Sequence, residues 1–186
     1  MKIGGIDYSM TSPAACVHDG DKWNIKNCNF FFISPNVKKL EGMDYQEGKL
    51  QARINYGWEN NTERFTTLMR HTSEFLLLEH GCYDVGLEDY AFAAKGMVFT
   101  IGENTGLLKF MLNEQNVKFD VYSPGTIKKF SSGKGNANKF LMLDAFVKET
   151  GWKLDEILEL KITEKVIPAP ITDIVDAYYV CKYHHS

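Results

Sequence analysis

The stretch Ile3-Gly4-Gly5-Ile6-Asp7-Tyr8-Ser9-Met10-Thr11 organises the rest of the chain, because it places a carboxylate at the end of an apolar strand. Asp7 would lose hydration there, so it needs a cation or hydrogen-bond donors close by. A metal ion would meet that need. On this stretch alone, Asp7 could also simply begin a turn, because Asp and Ser are favoured in turns.

Three further acids, far from Asp7 along the chain, strengthen the metal interpretation. Glu88 stands near the end of a second β-branched and aromatic run, which predicts a buried strand. Asp173 and Asp176 are three residues apart, which places both carboxylates on one face of a predicted helix. Thr172 could cap that helix with Asp173 in its first turn, an explanation that does not extend to Asp176.

Length and composition predict one domain over residues 1–186, because 44% hydrophobic content can build a sizeable core. No apolar run approaches the ~20 residues that cross a bilayer, so we expect no membrane partner. The chain enters a strand at once, with no signal-peptide pattern, and we expect a cytoplasmic protein. The four cysteines form no CxxC pair, which indicates neither a zinc site nor a disulfide framework.

Positive charge is concentrated in one window, although the formal net charge of −3 argues against a protein that coats nucleic acid without specificity. Residues 121–143 contain no acid. The window carries four lysines among glycines and short polar residues: Lys128, Lys129, Lys134 and Lys139. Such a loop could contact phosphates, or it could be an ordinary solvated surface loop.

The order of predicted elements favours an α/β fold with a five-stranded mixed sheet flanked by helices. An antiparallel meander of three strands is followed by a helix over 62–80, the Glu88 strand, a helix over 103–115, a strand over 118–122 and further helices. The acids then fall on the first strand, the fourth strand and a closing helix from Thr172. In this arrangement they can converge.

These features resemble the RuvC-type Holliday junction resolvases, crossover junction endodeoxyribonucleases of the ribonuclease H-like superfamily. The resemblance spans most of the chain and rests on matching motifs, namely Gly5-Ile6-Asp7 with Ser9 and Thr11, Glu88 with Tyr90 and Phe92, the acidic run 173–177, and Lys128 and Lys139 with Gly133 and Gly135 between them. Residues 34–60 depart from the family pattern and are predicted to be an insertion.

The resemblance implies a structure-specific endodeoxyribonuclease that resolves four-way DNA junctions by paired symmetric nicks. Two divalent ions roughly 4 Å apart can activate water, stabilise the leaving oxyanion and neutralise charge. Oxygen ligands suit Mg²⁺, and Mn²⁺ should substitute. We expect Asp7 to bridge both ions, Glu88 and Asp176 to hold one each, and Asp173 to complete the second site.

The resemblance also assigns residues to DNA. Lys134 or Lys139 should meet the scissile phosphate or its transition-state charge, and Lys139 is our catalytic candidate. The expected DNA contacts are Lys128, Lys129, Lys134, Lys139, Phe92 and Lys95. Asp89 competes with Glu88 for the metal site, but strand side chains alternate, so only one of the two can face it.

A homodimer follows from this function, because a four-way junction is approximately two-fold symmetric and needs two symmetric nicks. The helix over 103–115 carries apolar residues on more than one face. It could be buried entirely in the monomer or could pack on a partner subunit. We predict Leu108, Met111 and Leu112 as the dimer contacts.

Other classes of protein share some of these features with a resolvase. ATP-binding proteins of the actin and sugar-kinase type share the core fold, but the turn at 8–11 lacks their phosphate-loop glycine and the chain has no second lobe. The lysine window has no Walker spacing, so no nucleotide cofactor is expected. A nuclease of other branched DNA or RNA–DNA hybrids, and a non-catalytic module that binds branched DNA, both stay open.

Overall fold

The computed structural model describes residues 1–34, 44–45, 49–54, 57–89 and 97–186. In chain order the strands and helices are β1 Lys2–Asp7, β2 Ala14–Asp19, β3 Cys28–Ser34, β4 Asp44–Tyr45, β5 Leu50–Ile54, α1 Asn61–Ser73, β6 Asp84–Glu88, α2 Val98–Glu114, β7 Lys118–Tyr122, α3 Pro124–Ser132, α4 Lys139–Thr150, α5 Leu154–Ile157 and α6 Ala169–His185. A π-helical segment, Glu74–Glu79, continues α1. No helix in these ranges is long and apolar enough to cross a membrane.

One mixed sheet runs through the described part of the chain, with seven strands in the order β4-β5-β3-β2-β1-β6-β7. β1, β2 and β3 form the predicted antiparallel meander. β6 and β7 continue the sheet in parallel with β1, and parallel neighbours require crossovers, which α1 and α2 supply. The predicted α/β fold with a mixed sheet is confirmed.

The sheet has two more strands than the five predicted, because part of residues 34–60 joins it. β5 pairs in parallel with β3, and β4 pairs antiparallel with β5. Arg53 of β5 donates a hydrogen bond to the carbonyl oxygen of His71 at 2.8 Å and pairs with Glu79, which ties this edge to α1 and its continuation. The strands are too short to give a clear alternating pattern in the sequence.

Helices cover both faces of the sheet. On one face α6 lies across β1, β2, β3 and β6, with α3, α4 and α5 beside it, and the apolar core there includes Phe30, Phe146 and Tyr178. On the other face α1, its π-helical continuation and α2 pack over Ile6 and Phe31. Strand alternation therefore decides which helices each side chain of β1 meets.

A close approach between β1 and α6 occurs at Gly5. A Cβ atom placed on Gly5 would lie 2.1 Å from the backbone nitrogen of Cys181, so no larger residue fits without moving the helix. Gly86, the neighbour of Gly5 in the β1–β6 register, faces the same helix, and a Cβ atom there would lie 3.0 Å from Cβ of His184. The two glycines allow α6 to lie directly on the backbone of the central strands.

The predicted dimer contacts on α2 lie inside the chain. Leu108 and Leu112 are fully buried and Met111 is 9% exposed. All three belong to the apolar core on the side of the sheet that α1 and α2 cover. They cannot form an exposed face, so this assignment was wrong. α2 also begins at Val98, earlier than predicted, and its exposed side carries Phe99 and Phe110 instead.

We expect Gly5→Ala to lower the free energy of unfolding by about 1–3 kcal/mol or more, because its methyl group would collide with the backbone of α6 rather than with a movable side chain. Urea unfolding would measure the change. Gly106→Ala on α2 is the matched control, since a Cβ there meets nothing within 4 Å and should stabilise the helix by up to about 1 kcal/mol. Equal stability of the two variants would contradict this account of the packing.

Candidate active site

Three of the four predicted acids meet at one edge of the sheet. Asp7 ends β1 and Glu88 ends β6, and these strands are parallel neighbours, so both side chains leave the sheet at the same edge and on the α6 side. Asp176 reaches this point from α6. One carboxylate oxygen from each of Asp7, Glu88 and Asp176 lies within 4.8 Å of the others.

Asp173 lies one helical turn before Asp176 and joins the same electrostatic cluster. It is 6% exposed, and its Oδ1 accepts a hydrogen bond from Oγ1 of Thr172 at 3.2 Å. Its Oδ2 is buried without a hydrogen-bond partner in the described part of the chain. After burial, the charge of Asp173 is the largest influence that raises the pKa of Asp7. Asp173 therefore stands beside the three-carboxylate group, with one oxygen still unsatisfied.

The N-terminal end of α6 differs from the prediction in a way that matters for Asp173. The helix begins at Ala169 rather than at Thr172, with Pro170 in its first turn. A proline is tolerated there because the first backbone N–H groups of a helix have no intrahelical acceptor. Asp173 is then the fifth residue of α6 and lies beyond the first turn. Its presence is therefore not explained by the favourable effect of an acid at the start of a helix.

Burial makes these carboxylates hard to ionise together. Burial, followed by the charge of Asp176, raises the pKa of Glu88 to about 8. Burial and then Asp173 raise the pKa of Asp176 to about 7. The pKa of Asp173 rises to about 6 through burial, and that of Asp7 lies well above its usual range. A cation between them would relieve both the lost hydration and the mutual repulsion.

Two of the four predicted lysines supply positive charge to the cluster. Nζ of Lys139 donates a hydrogen bond to Oγ1 of Thr172 at 3.1 Å, and its charge lowers the pKa values of all four acids against the effect of burial. Lys128 does the same for Glu88 and Asp176. Lys129 and Lys134 are exposed and are not among the main charges that shift these acids.

The lysine window is not the single loop predicted from its composition. Ser123 caps α3, which contains Lys128 and Lys129 and ends at Gly133, where φ is 78°. Oδ1 of Asn138 then caps α4 by accepting a hydrogen bond from the backbone nitrogen of Leu141 at 3.0 Å. The short turn between the helices carries Lys134, and α4 opens with Lys139. The lysines therefore lie on two helices, α3 and α4, and on the short turn that joins them, and both helices pack against α6.

A cleft of about 440 Å³ opens beside the carboxylates. Its lining residues are Asp7, Tyr8, Ser9, Met10, Thr11, Arg64, Glu88, Asp89, Met97, Ile101, Thr105 and Pro124. Asp89 lines this cleft but lies outside the three-carboxylate group, as strand alternation predicted. Sequence reasoning missed Arg64, which occupies an ordinary polar position of an amphipathic helix and so gives no signal. Phe92 and Lys95, predicted to contact DNA, lie outside the described residues.

The donor atoms of this cluster suit a hard divalent cation. All the available ligands are carboxylate oxygens, which Mg²⁺ and Mn²⁺ prefer, and no nitrogen or sulfur donor joins them among the described residues. The unsatisfied oxygen of Asp173 and the raised pKa values give the same indication. The residues present therefore fit a divalent metal.

Comparison with solved structures identifies the fold. RuvC from Thermus thermophilus is similar to this chain with a TM-score of 0.60 and 17% identity, over 99% of this chain and 95% of that one. T. thermophilus RuvC in complex with a Holliday junction substrate gives a TM-score of 0.61 at 16% identity, over 97% and 90%. The yeast mitochondrial Holliday junction resolvase gives 0.57 at 12% identity, over 98% and 77%.

At these identities the likeness establishes the fold. The chain therefore has the α/β, ribonuclease H-like fold of RuvC-type resolvases, as its motifs implied. No family model and no curated protein sequence matches this chain.

Without metal, we expect the stability of the protein to fall as the pH rises from about 4.5 to about 8. The pKa of Glu88 is raised from 4.5 to about 8 in the folded protein. Its stabilising contribution is thus fully present below the unfolded value and is lost as the pH rises through about 8. Urea unfolding in EDTA at pH 5 and pH 8.5 would measure this. Glu88→Gln keeps the side chain neutral and should make the fall smaller.

Glu103→Gln provides the control for this measurement, because Glu103 is exposed on α2. It should show the same pH dependence as the unmodified protein. An identical fall in Glu88→Gln and Glu103→Gln would show that the carboxylate cluster does not govern stability in this range.

Proposed function

We propose that this protein is a metal-dependent endodeoxyribonuclease that resolves four-way DNA junctions by paired nicks. The observation that carries this proposal is the group formed by Asp7, Glu88 and Asp176, with Lys139 next to it. The fold supports it, because the similar structures include a RuvC in complex with a Holliday junction. Residues 1–186 would form one nuclease domain, with β4 and β5 as an addition at its edge.

Asp7, Glu88 and Asp176 would hold Mg²⁺, with Asp173 completing the site of a second ion and Mn²⁺ able to substitute. When bound, such ions supply the Lewis acidity that activates water and neutralises charge on a phosphodiester. The protein contributes carboxylates already fixed by β1, β6 and α6, so little ordering remains to be done when metal binds. The cost of this preorganisation is the burial, and after it the mutual repulsion, that raise their pKa values.

The lysines divide into two groups in this mechanism. Lys139, held by Thr172, and the half-buried Lys128 place positive charge beside the carboxylates, where a phosphate and its developing charge would lie. The exposed Lys129 and Lys134 would bind the DNA backbone farther from the bond that is cut. Lys139 is therefore our candidate for a direct catalytic role.

Paired nicks require two active sites related by two-fold symmetry, and we propose a homodimer that supplies them. The exposed side of α2 provides an apolar surface for an isologous contact, since Phe99 is 88% exposed and Phe110 is 62% exposed. Both rings lie on the side of the helix opposite the buried Leu108 and Leu112. Exposed aromatic side chains of this size are typical of an interface core.

Asp7→Asn should reduce cleavage of a synthetic four-way junction on the order of 100-fold or more, because a lost metal ligand removes several kcal/mol of transition-state stabilisation. Junction binding in Ca²⁺ should persist, because Asp7 makes no favourable contact with a phosphate. Single-turnover cleavage and gel-shift titration would measure the two effects. Asp120→Asn, at an exposed position of β7, is the control and should cut normally.

The same assay separates this proposal from the alternatives when a replication fork, a linear duplex and an RNA–DNA hybrid are compared with the junction. Faster cleavage of the fork or the hybrid would identify a nuclease of different specificity. Junction binding without cleavage in Mg²⁺ or Mn²⁺ would identify a binding module. Undiminished cleavage in EDTA would contradict metal dependence.

The double variant Phe99→Asp with Phe110→Asp should yield a folded monomer that no longer makes paired nicks, because four charges would face each other across the interface. Light scattering should give twice the 21.2 kDa chain mass for the unmodified protein and a single chain mass for the variant. Val166→Asp, at another exposed apolar position, should stay dimeric. An unmodified protein that is monomeric yet makes paired nicks would refute the dimer.

A further inference from the structure

Arg64 is a half-buried cation in the cleft beside the candidate metal ligands, and the hydrolysis proposed above leaves it without a role. It is the fourth residue of α1 and lines the cleft together with Asp7 and Glu88. It enters the cleft from the face of the sheet opposite α6, whereas the lysines approach from the α6 side. Arg64 therefore brings a separate positive charge to this edge.

Two contacts fix the guanidinium group of Arg64. Its Nε donates a hydrogen bond to the carbonyl oxygen of Met10 at 2.5 Å, and its central carbon lies 5.1 Å from the centroid of the Trp58 ring. Met10 belongs to the segment that directly follows Asp7, so the group is positioned by the chain that leaves the end of β1. Its two Nη atoms make no hydrogen bond to a described residue. The planar fork is thus held in place with its outer donors unused by the residues that the structure describes.

The charge of Arg64 is not balanced by the described carboxylates. Burial lowers its pKa, and no carboxylate in the described part of the chain opposes that effect. Arg53, another half-buried arginine, pairs with Glu74 and Glu79. The cations that lower the pKa values of the candidate metal ligands are Lys139 and Lys128, not Arg64. A partly buried charge without a counter-ion among the described residues is costly, so this position favours a bound anion.

We propose that Arg64, held by Met10 and Trp58, is a phosphate-binding site for the nucleotide next to the bond that is cut. This inference rests on the proposed nuclease function and adds a second anchor for the same DNA strand. Arginine suits this role because its donors match two phosphate oxygens at once, and its contact with the Trp58 ring uses none of those donors. The scissile phosphate would lie at the carboxylates and its neighbour at Arg64.

The cleft that Arg64 shares with the carboxylates also has apolar lining residues, which a bound nucleotide would need. Met10, Met97 and Ile101 line the same cleft as Arg64 and the acids. An apolar wall suits a deoxyribose or the edge of a base, and it would not hold a free ion. The cleft therefore suits a strand that offers phosphates to the charged groups and a sugar or base edge to the apolar lining. Arg64 would position that strand before cleavage rather than take part in the bond-breaking step.

A methylphosphonate scan tests the site directly. Each phosphate near the cleavage position of a four-way junction is replaced in turn by a neutral methylphosphonate, and affinity is measured in Ca²⁺ for the unmodified protein and for Arg64→Gln. We expect the unmodified protein to lose about tenfold in affinity at one position beside the scissile phosphate. Arg64→Gln should lose about tenfold on unmodified DNA and almost nothing further at that position. A merely structural role would weaken binding evenly at all positions.

Arg70→Gln is the matched control, because Arg70 lies on the same helix, is exposed, and pairs with Glu74. It should give the profile of the unmodified protein. Arg64→Lys keeps the positive charge but loses the planar guanidinium group, so it should retain part of the position-specific effect. If Arg64→Gln does not fold, Arg64→Lys takes its place in the scan.

The outcomes also separate this inference from the function on which it rests. If the unmodified protein binds no branched DNA, the proposed function fails. If it binds, but the Arg64 variants and Arg70→Gln share one profile, only the role of Arg64 is overturned.

Discussion

The contact of α6 with the bare backbone of β1 at Gly5 is the constraint on which the rest of the structure depends. Because Gly5 has no side chain, the backbone of Cys181 can occupy the place that a Cβ atom would take. Sγ of Cys181 also donates a hydrogen bond to the carbonyl oxygen of Ile3 at 3.3 Å, which joins helix and strand again. Asp173 lies about two helical turns before Cys181 on α6. Because α6 is fixed against β1 at Cys181, Asp173 and Asp176 lie beside the end of β1.

This seating explains how acids from three distant parts of the chain come to share one small volume. Asp7 and Glu88 are brought together by the parallel register of β1 and β6, and α6 adds Asp173 and Asp176. The packed helix also takes water away from the carboxylates, and their raised pKa values follow. The arrangement is therefore unfavourable for the protein alone and favourable for the protein with a divalent cation, which is typical of a functional site rather than of a structural one.

Sequence patterns predicted the fold and the positions of the acids because those depend on local signals. An apolar strand that ends in Asp7, a second that ends in Glu88, and two acids on one helical face are all visible in the sequence. Those signals do not extend to Gly5, whose importance comes from a helix that lies 176 residues away at Cys181. The role of each glycine in a strand is decided by what packs on it.

The errors have equally specific causes. The helix over 103–115 carries more apolar residues than one helical face can bury, so Leu108 and Leu112 were assigned to a dimer contact. In the structure α2 packs against α1 as well as on the sheet, and both residues are buried. β5 was missed because its pairing with β3 gives no strong alternation over so few residues. Arg64 was missed because its environment comes from Met10 and Trp58, which the sequence alone does not bring together.

The central claim is that Asp7, Glu88 and Asp176 form a divalent-metal site, and anomalous diffraction from crystals soaked in Mn²⁺ tests it most directly. We expect one or two strong anomalous peaks in contact with carboxylate oxygens of these three residues, and none there in crystals of Asp7→Asn. Mn²⁺ bound only elsewhere on the protein, with these carboxylates left free of metal, would contradict it.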